Sequence, residues 1–204
     1  MIKNIIFDFG DIFIDLDKPA TIREMQKLGM QTVSEEMNQY YHLYEKGMIT
    51  TDRFVGYFQD LFPWISEQDL IEAWNAIILF FPDHRLDWIK ELAKQKRYRL
   101  FLLSNTNALH INKVMAHMTQ DRYDDFKNCF EQFYLSHEIH LRKPDLEIYA
   151  YVLERNDLVA NETLFVDDTA ENTEAASELG IKTWNLTPGK EDIVDLFNHK
   201  HLFA

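Results

Sequence analysis

The sequence predicts an α/β protein, a three-layer parallel-sheet core interrupted near its start by a bundle of four helices. Three observations carry this reading. An apolar run, Ile5-Ile6-Phe7, opens the chain and ends abruptly on Asp8; an uncharged run of this kind reads as a buried parallel strand. From residue 16 to about Phe81 strand-like runs disappear and helix-period segments follow one another. After Pro82 strand, loop and helix alternate, the rhythm of a parallel sheet with helical crossovers.

Taken in order, the first strand is followed by a second short apolar run, Ile12-Phe13-Ile14, and then by Asp15 and Asp17. Pro19 suits the first turn of a helix that Gly29 closes. Ser34 starts a second helix, with Tyr40, Tyr41 and Tyr44 along it and Gly47 as its breaker. Thr50-Thr51-Asp52 starts a third, carrying Phe54, Tyr57, Phe58 and Leu61 at mixed three- and four-residue spacing. Ser66-Glu67-Gln68-Asp69 resembles a capping box for a fourth, with Leu70, Ile71, Trp74 and Ile77 inward. Pro82 opens a helix with Leu86, Ile89 and Leu92 on one face. Strands then follow at Leu100–Leu103, Phe133–Leu135, Leu164–Val166 and Thr183-Trp184. Helices are expected through Val114, from Pro144 through Val152, over Ala170–Leu179 and at the end from Asp192 to Phe197. These boundaries give a core of residues 1–15 and 82–204 and a helical insert of residues 16–81.

Bulk properties narrow the function. The 204 residues carry a formal net charge of −13, which argues against nucleic acid or an anionic membrane surface as a partner. A small anionic ligand remains compatible, since a local cation can dominate a site. The one cysteine, Cys129, permits no internal disulfide and is expected to act as a small buried hydrophobe. No signal peptide or membrane-spanning stretch is evident, so the expectation is a cytoplasmic protein, a monomer or weak homodimer.

The chemistry sits where strands end. Four apolar strands finish in Asp8, Ser104-Asn105, Ser136-His137 and Asp167-Asp168. If the strands are parallel, these endings meet along the edge of the sheet where open α/β folds bind ligands. One such ending alone would more often be a helix cap. Two carboxylates ~4 Å apart repel by roughly 4 kcal/mol at the effective dielectric of a partly buried site, so Asp8, Asp167 and Asp168 call for cations. Mg²⁺ suits a site with few carboxylates and room for water and phosphate, and Lys143 is the obvious second cation. Together they balance the three carboxylates, which lets a phosphate dianion approach. The Ser104 hydroxyl and the amides around Asn105 would donate to phosphate oxygens. Asp8 would attack phosphorus, forming an aspartyl-phosphate that water hydrolyses.

Asp8-Phe9-Gly10-Asp11, Ser104-Asn105, Lys143-Pro144 and Asp167-Asp168 resemble, in order and setting, the four motifs of the haloacid dehalogenase superfamily. The resemblance covers nearly the whole chain. The segments Ser104–Asn107, Tyr134–Ser136, Arg142–Asp145 and Phe165–Asp168 are similar to the subgroup that contains α-D-glucose-1-phosphate phosphatase. The resemblance implies a Rossmann-like core with a helical cap. It makes Asp8 the nucleophile and a Mg²⁺ ligand, Gly10 a ligand through its carbonyl, and Asp168 a ligand. Asp167 is a direct or outer partner of the metal, Ser104 and Lys143 hold phosphate, and Asn105 lies near the substrate. Two departures stand out. Gly10 occupies the place where most superfamily phosphatases carry a second Asp as general acid and base, and a strand-like backbone would point Asp11 elsewhere. His140 stands where relatives often have Gly.

The expectation is therefore a Mg²⁺-dependent phosphatase of a small phosphorylated metabolite, with a sugar phosphate such as glucose-1-phosphate as one candidate. A metal-independent haloacid dehalogenase would leave Asp167-Asp168 unexplained. A poorly turning-over phosphate-binding protein of the same fold is the third reading. Asp11, Asp15 and Asp17 read as loop carboxylates, Tyr40, Tyr44, Phe54, Phe58 and Trp74 as the core of the insert with room for one or two of them to face the substrate, His137 and His140 as solvated, and Asn172 as support for the metal loop.

Overall fold

The computed structural model describes residues 1–203. β1 (Asn4–Phe7) lies at the centre of a five-stranded parallel sheet, flanked by β2 (Arg99–Ser104) and β4 (Thr163–Asp167), with β3 (Gln132–Leu135) and β5 (Lys182–Asn185) at the edges, giving the order β3-β2-β1-β4-β5. Strand alternation sends Ile5 and Phe7 to one face and Ile6 to the other, so the sheet is apolar on both sides, as a parallel sheet covered by helices must be. One face is filled by interlocked rings of Phe7, Phe13, Phe81, Phe126 and Phe130. The other is filled by Phe101, Tyr149, Val152 and Phe165.

The insert contributes α1 (Ala20–Lys27), α2 (Glu35–Glu45), α3 (Thr51–Leu61) and α4 (Glu67–Asn75). Three start on the caps read from sequence: Ser34, Thr50 and Ser66 each accept a hydrogen bond from the backbone three residues on, as Ser and Thr do at helix N-termini. Their inward faces form a hydrophobic cluster of their own around Met25, Met37, Phe54, Phe58, Leu70 and Trp74. Two chain crossings join insert and core, and they pair. Asp15 N donates to Phe80 O at 3.0 Å, Leu79 N to Asp15 O at 3.1 Å and Asp17 N to Ile77 O at 2.9 Å. A second junction lies at the far end of α2. The Ser136 hydroxyl donates to Glu45 O at 2.6 Å, and Arg142 Nε to Glu45 Oε2 at 2.8 Å.

The rest of the core follows as α5 (Asp83–Gln95), α6 (Ala108–Met118), α7 (Gln120–Lys127), the single turn α8 (Ser136–Ile139), α9 (Leu146–Arg155) and α10 (Ala170–Glu178). Several sequence expectations shift. The helix placed at Pro144 begins two residues later. The terminal helix is a pair of 3₁₀ segments, Ile193–Asn198 and Lys200–Phe203. The polar helix α7 was not expected: only Tyr123 and Phe126 of its residues are buried, too sparse a pattern to announce a helix. Cys129 is half-buried, its thiol donating to Asp125 O. His140 has φ 61° and its Nδ1 meets Lys46 O at 2.9 Å; this left-handed backbone is one that glycine adopts without cost.

Candidate active site

Register brings the carboxylates together. Phe7 pairs with Val166, so the residues that follow, Asp8 and Asp167, leave the sheet side by side. Oxygens of Asp8, Asp167 and Asp168 all lie within 4.8 Å of one another. Lys143 reaches in from the loop before α9, donating to Asp8 Oδ1 at 2.7 Å and Asp167 Oδ2 at 2.6 Å. Its side chain is 1% exposed, which removes the reading of a surface lysine. Burial alone would discharge it, but Asp167 and Asp8 outweigh that and hold the ammonium above its ordinary range.

Each carboxylate has its own setting. Asp167 is wholly buried. Its Oδ1 accepts from Thr169 N at 2.8 Å, and Asn172 Nδ2 spans both oxygens at 3.1 and 3.0 Å, so Asn172 supports this loop as expected. Burial pushes the Asp8 carboxyl up to about 7, with Lys143 opposing and Asp167 and Asp168 adding to the rise. Asp168 is also pushed up by burial, against the pull of Lys18.

The cluster is a set of hard oxygen donors with more negative charge than its lysines balance, and that fits a divalent cation such as Mg²⁺.

The phosphate-side residues divide. Ser104 ends β2, is 3% exposed, and its hydroxyl makes no hydrogen bond among the described residues. It is free to donate to a ligand. The Asn105 side chain is engaged: Nδ2 donates to Lys143 O at 2.8 Å, and Oδ1 accepts from Lys143 N at 2.9 Å. Asn105 thus clamps the backbone that aims Lys143. The Ser136 hydroxyl, a third strand-end group, is taken up by Thr106 and Glu45, so that ending builds the scaffold.

Two groups beside the carboxylates were missed in the sequence. Lys18, on the first crossing into the insert, hydrogen-bonds Asp168 and lies 3.3 Å from Asp11 Oδ2. Asp11 is not on strand-like backbone: φ is 54°, and its Oδ1 accepts from Leu16 N at 3.0 Å. The turn brings its carboxylate back towards the site. Lys18 and Asp11 add one charge of each sign and leave the local balance unchanged. At Gly10 a Cβ would lie 2.7 Å from Leu16 Cδ1 and 3.9 Å from Asp8 Oδ2. The space beside Asp8 that a side chain at position 10 would enter is filled by Leu16.

A parallel sheet with strand-end carboxylates, a buried lysine and a helical insert after the first strand defines a Rossmann-like α/β core whose oxygen donors and fixed ammonium suit a metal ion and an anion. Residues 5–186 match the haloacid dehalogenase-like hydrolase family, and the chain belongs to it. It is 28% identical over 197 residues to a D-ribitol-5-phosphate phosphatase of Bacteroides thetaiotaomicron, spanning 94% of this chain and 95% of that one. It is 31% identical over 117 residues, 56% of each chain, to a sesquiterpene phosphatase of Aspergillus oryzae. Among solved structures, a family enzyme of Bacteroides thetaiotaomicron in complex with magnesium and inorganic phosphate superposes with a TM-score of 0.81, at 32% identity and 100% coverage of both chains.

Proposed function

We propose that this hydrolase is a Mg²⁺-dependent phosphomonoesterase acting through an aspartyl-phosphate on Asp8, with residues 16–81 as its cap. The observation that carries the reading is the pair of bonds from one buried ammonium, Lys143, to Asp8 and Asp167. A nucleophilic carboxylate must be ionised and must meet a dianion, and both need fixed positive charge at that point.

In this reading Asp8 attacks phosphorus, the P–O bond to the alcohol breaks and the alkoxide leaves taking a proton from water, and a second water then hydrolyses the aspartyl-phosphate, while Lys143 and the Ser104 hydroxyl hold the equatorial oxygens. Asn105 keeps Lys143 aimed, and Asn172 keeps Asp167 turned towards it. Asp8 and Asp168, with the Gly10 carbonyl, would hold Mg²⁺, and Asp167 would support it. When bound, the ion supplies charge neutralisation of the transferring group. Phosphatase names among the relatives, and magnesium with phosphate in a neighbour of the same fold, support the reaction class. The same names pair a polyol phosphate with a terpenoid phosphate, so they leave the alcohol open. Glucose-1-phosphate remains one candidate.

The test is release of phosphate from a panel of monoesters, including glucose-1-phosphate and ribitol-5-phosphate, with Mg²⁺ and with EDTA. Turnover that requires Mg²⁺ and vanishes in a folded Asp8→Asn variant is expected. Turnover that survives in Asp8→Asn would remove Asp8 as nucleophile. Mg²⁺ binding without turnover on any ester would instead favour a phosphate-binding protein.

A further inference from the structure

A cavity of about 380 Å³ opens inside the insert, and Lys18 lines it while also hydrogen-bonding Asp168 of the carboxylate cluster. Cavity and cluster therefore adjoin across one side chain. In the phosphatase reading the alcohol of an ester bound at the cluster would extend past Lys18 into this space. Cavities of this size are those that enclose small organic ligands.

Its wall is apolar. Met25, Met30, Met37 and Phe58 come from the inner faces of the insert helices and their connections, and Trp74 and Ile77 close it beside the core. Most polar groups on this wall are already engaged, the exception being Trp74 Nε1, which is buried without a hydrogen-bond partner. The Thr21 hydroxyl donates to Trp74 O at 3.0 Å, and His110 Nε2 donates to the same carbonyl at 3.3 Å. Asn107 Nδ2 donates to His110 Nδ1 at 3.2 Å, and the Tyr41 hydroxyl donates to Glu45 Oε1 at 2.7 Å. Gln26, Gln31, Thr32 and Asn38 are exposed and belong to the mouth.

A sugar or polyol carries a hydroxyl on nearly every carbon, and each one buried without a partner costs free energy. This wall leaves those hydroxyls few partners. An alkyl, aryl or prenyl chain needs none and gains from leaving water, about fourfold in binding per methylene. At roughly 30 Å³ for each water-sized group, the space holds about a dozen non-hydrogen atoms.

Resting on the phosphatase reading, we infer that the substrate is the phosphate monoester of an apolar alcohol, its chain lodged in the insert cavity. The experiment is a series of ethyl, butyl, hexyl and octyl phosphate, with ribitol-5-phosphate and glucose-1-phosphate, all with Mg²⁺ and the intact protein. kcat/KM should climb with chain length, by at least a hundredfold from ethyl to octyl, and octyl phosphate should exceed both polyol esters. A flat series, or a polyol ester preferred over octyl phosphate, would overturn the inference. Acetyl phosphate in the same panel separates the two claims. If no compound, acetyl phosphate included, is turned over, it is the phosphatase reading that fails. The cavity is then judged by calorimetric titration with octylphosphonate and ethylphosphonate: tighter binding of the octyl compound by a hundredfold sustains an apolar site, and equal binding ends it.

Discussion

Lys143→Met is the sharpest perturbation of this site, because it removes one charge and little volume. In the folded protein that ammonium lies 2.7 Å from Asp8 Oδ1 and 2.6 Å from Asp167 Oδ2. Without it the cluster keeps carboxylates whose oxygens lie within 4.8 Å of one another. At that separation and an effective dielectric near 20, each pair repels by roughly 3.5 kcal/mol. Removing one partner of a buried ion pair typically costs about 3–5 kcal/mol. One route limits the loss. Asp8 is already pushed up to about 7, and losing Lys143 raises it further, so it can take a proton instead of remaining charged. A carboxyl raised in the folded state above its unfolded value costs increasing stability as pH climbs from the unfolded towards the folded value. Since the wild-type carboxyl already keeps its proton up to about pH 7, the part of the deficit that comes from Asp8 opens above that pH, so the deficit should be larger at pH 8 than at pH 6 by about 1 kcal/mol. The assay is urea unfolding followed by tryptophan fluorescence, in EDTA, at several pH values. Adding Mg²⁺ should then stabilise the variant more than the wild type, since one positive charge fewer competes at the carboxylates. A deficit under about 1 kcal/mol at pH 8, with no larger gain from Mg²⁺, would refute the charge-balance argument on which the site rests.

Other expectations are simpler to state. Asp168→Ala should weaken Mg²⁺ binding at least tenfold by calorimetry, and an unchanged titration would remove Asp168 from the ligand set. Gly10→Ala places a methyl 2.7 Å from Leu16 Cδ1 and should cost about 1–3 kcal/mol by overpacking. In the Leu16→Ala background the same change should cost less, and an equal cost in both backgrounds would show that Leu16 yields freely. Burial lowers His110 to about 4 from an ordinary value of 6.5. The unfolded chain then takes up the proton first as pH falls, so His110 stabilises the fold above pH 6.5 and that contribution disappears towards pH 4. The loss is at most about 3 kcal/mol. Urea midpoints of wild type and His110→Gln should converge as pH drops over this range, and parallel curves would contradict it.

What could be read from the sequence follows from how strongly each feature is fixed by local chain. Asp8, Lys143, Asp167 and Asp168 were legible because an apolar strand that ends in charge has few explanations, and because parallel register places neighbouring strand ends together whatever the helices do. Asp11 was not legible, since its place depends on the backbone turning left-handed there, a conformation uncommon outside glycine, and Lys18 was not, since its bond to Asp168 spans 150 residues. Asn105 was recognised as a member of the site, but its side-chain bonds reach Lys143, 38 residues away, a distance that no local pattern encodes. The insert shows the same limit on a larger scale. Helical period identified most of its inward-facing residues, and Tyr44, Phe54 and Trp74 are buried together, while Leu61, read on the same face as Phe54 and Phe58, is exposed. Period alone says that a face is apolar and not whether it meets another helix or an open space. Met25, Met30, Met37 and Phe58 satisfy the same rule as core residues while also walling the cavity beside Lys18. In the proposed reading substrate choice would rest on that difference, since the groups that would do the chemistry lie at strand ends and those that would select the alcohol lie on helices whose mutual packing only the folded chain reveals.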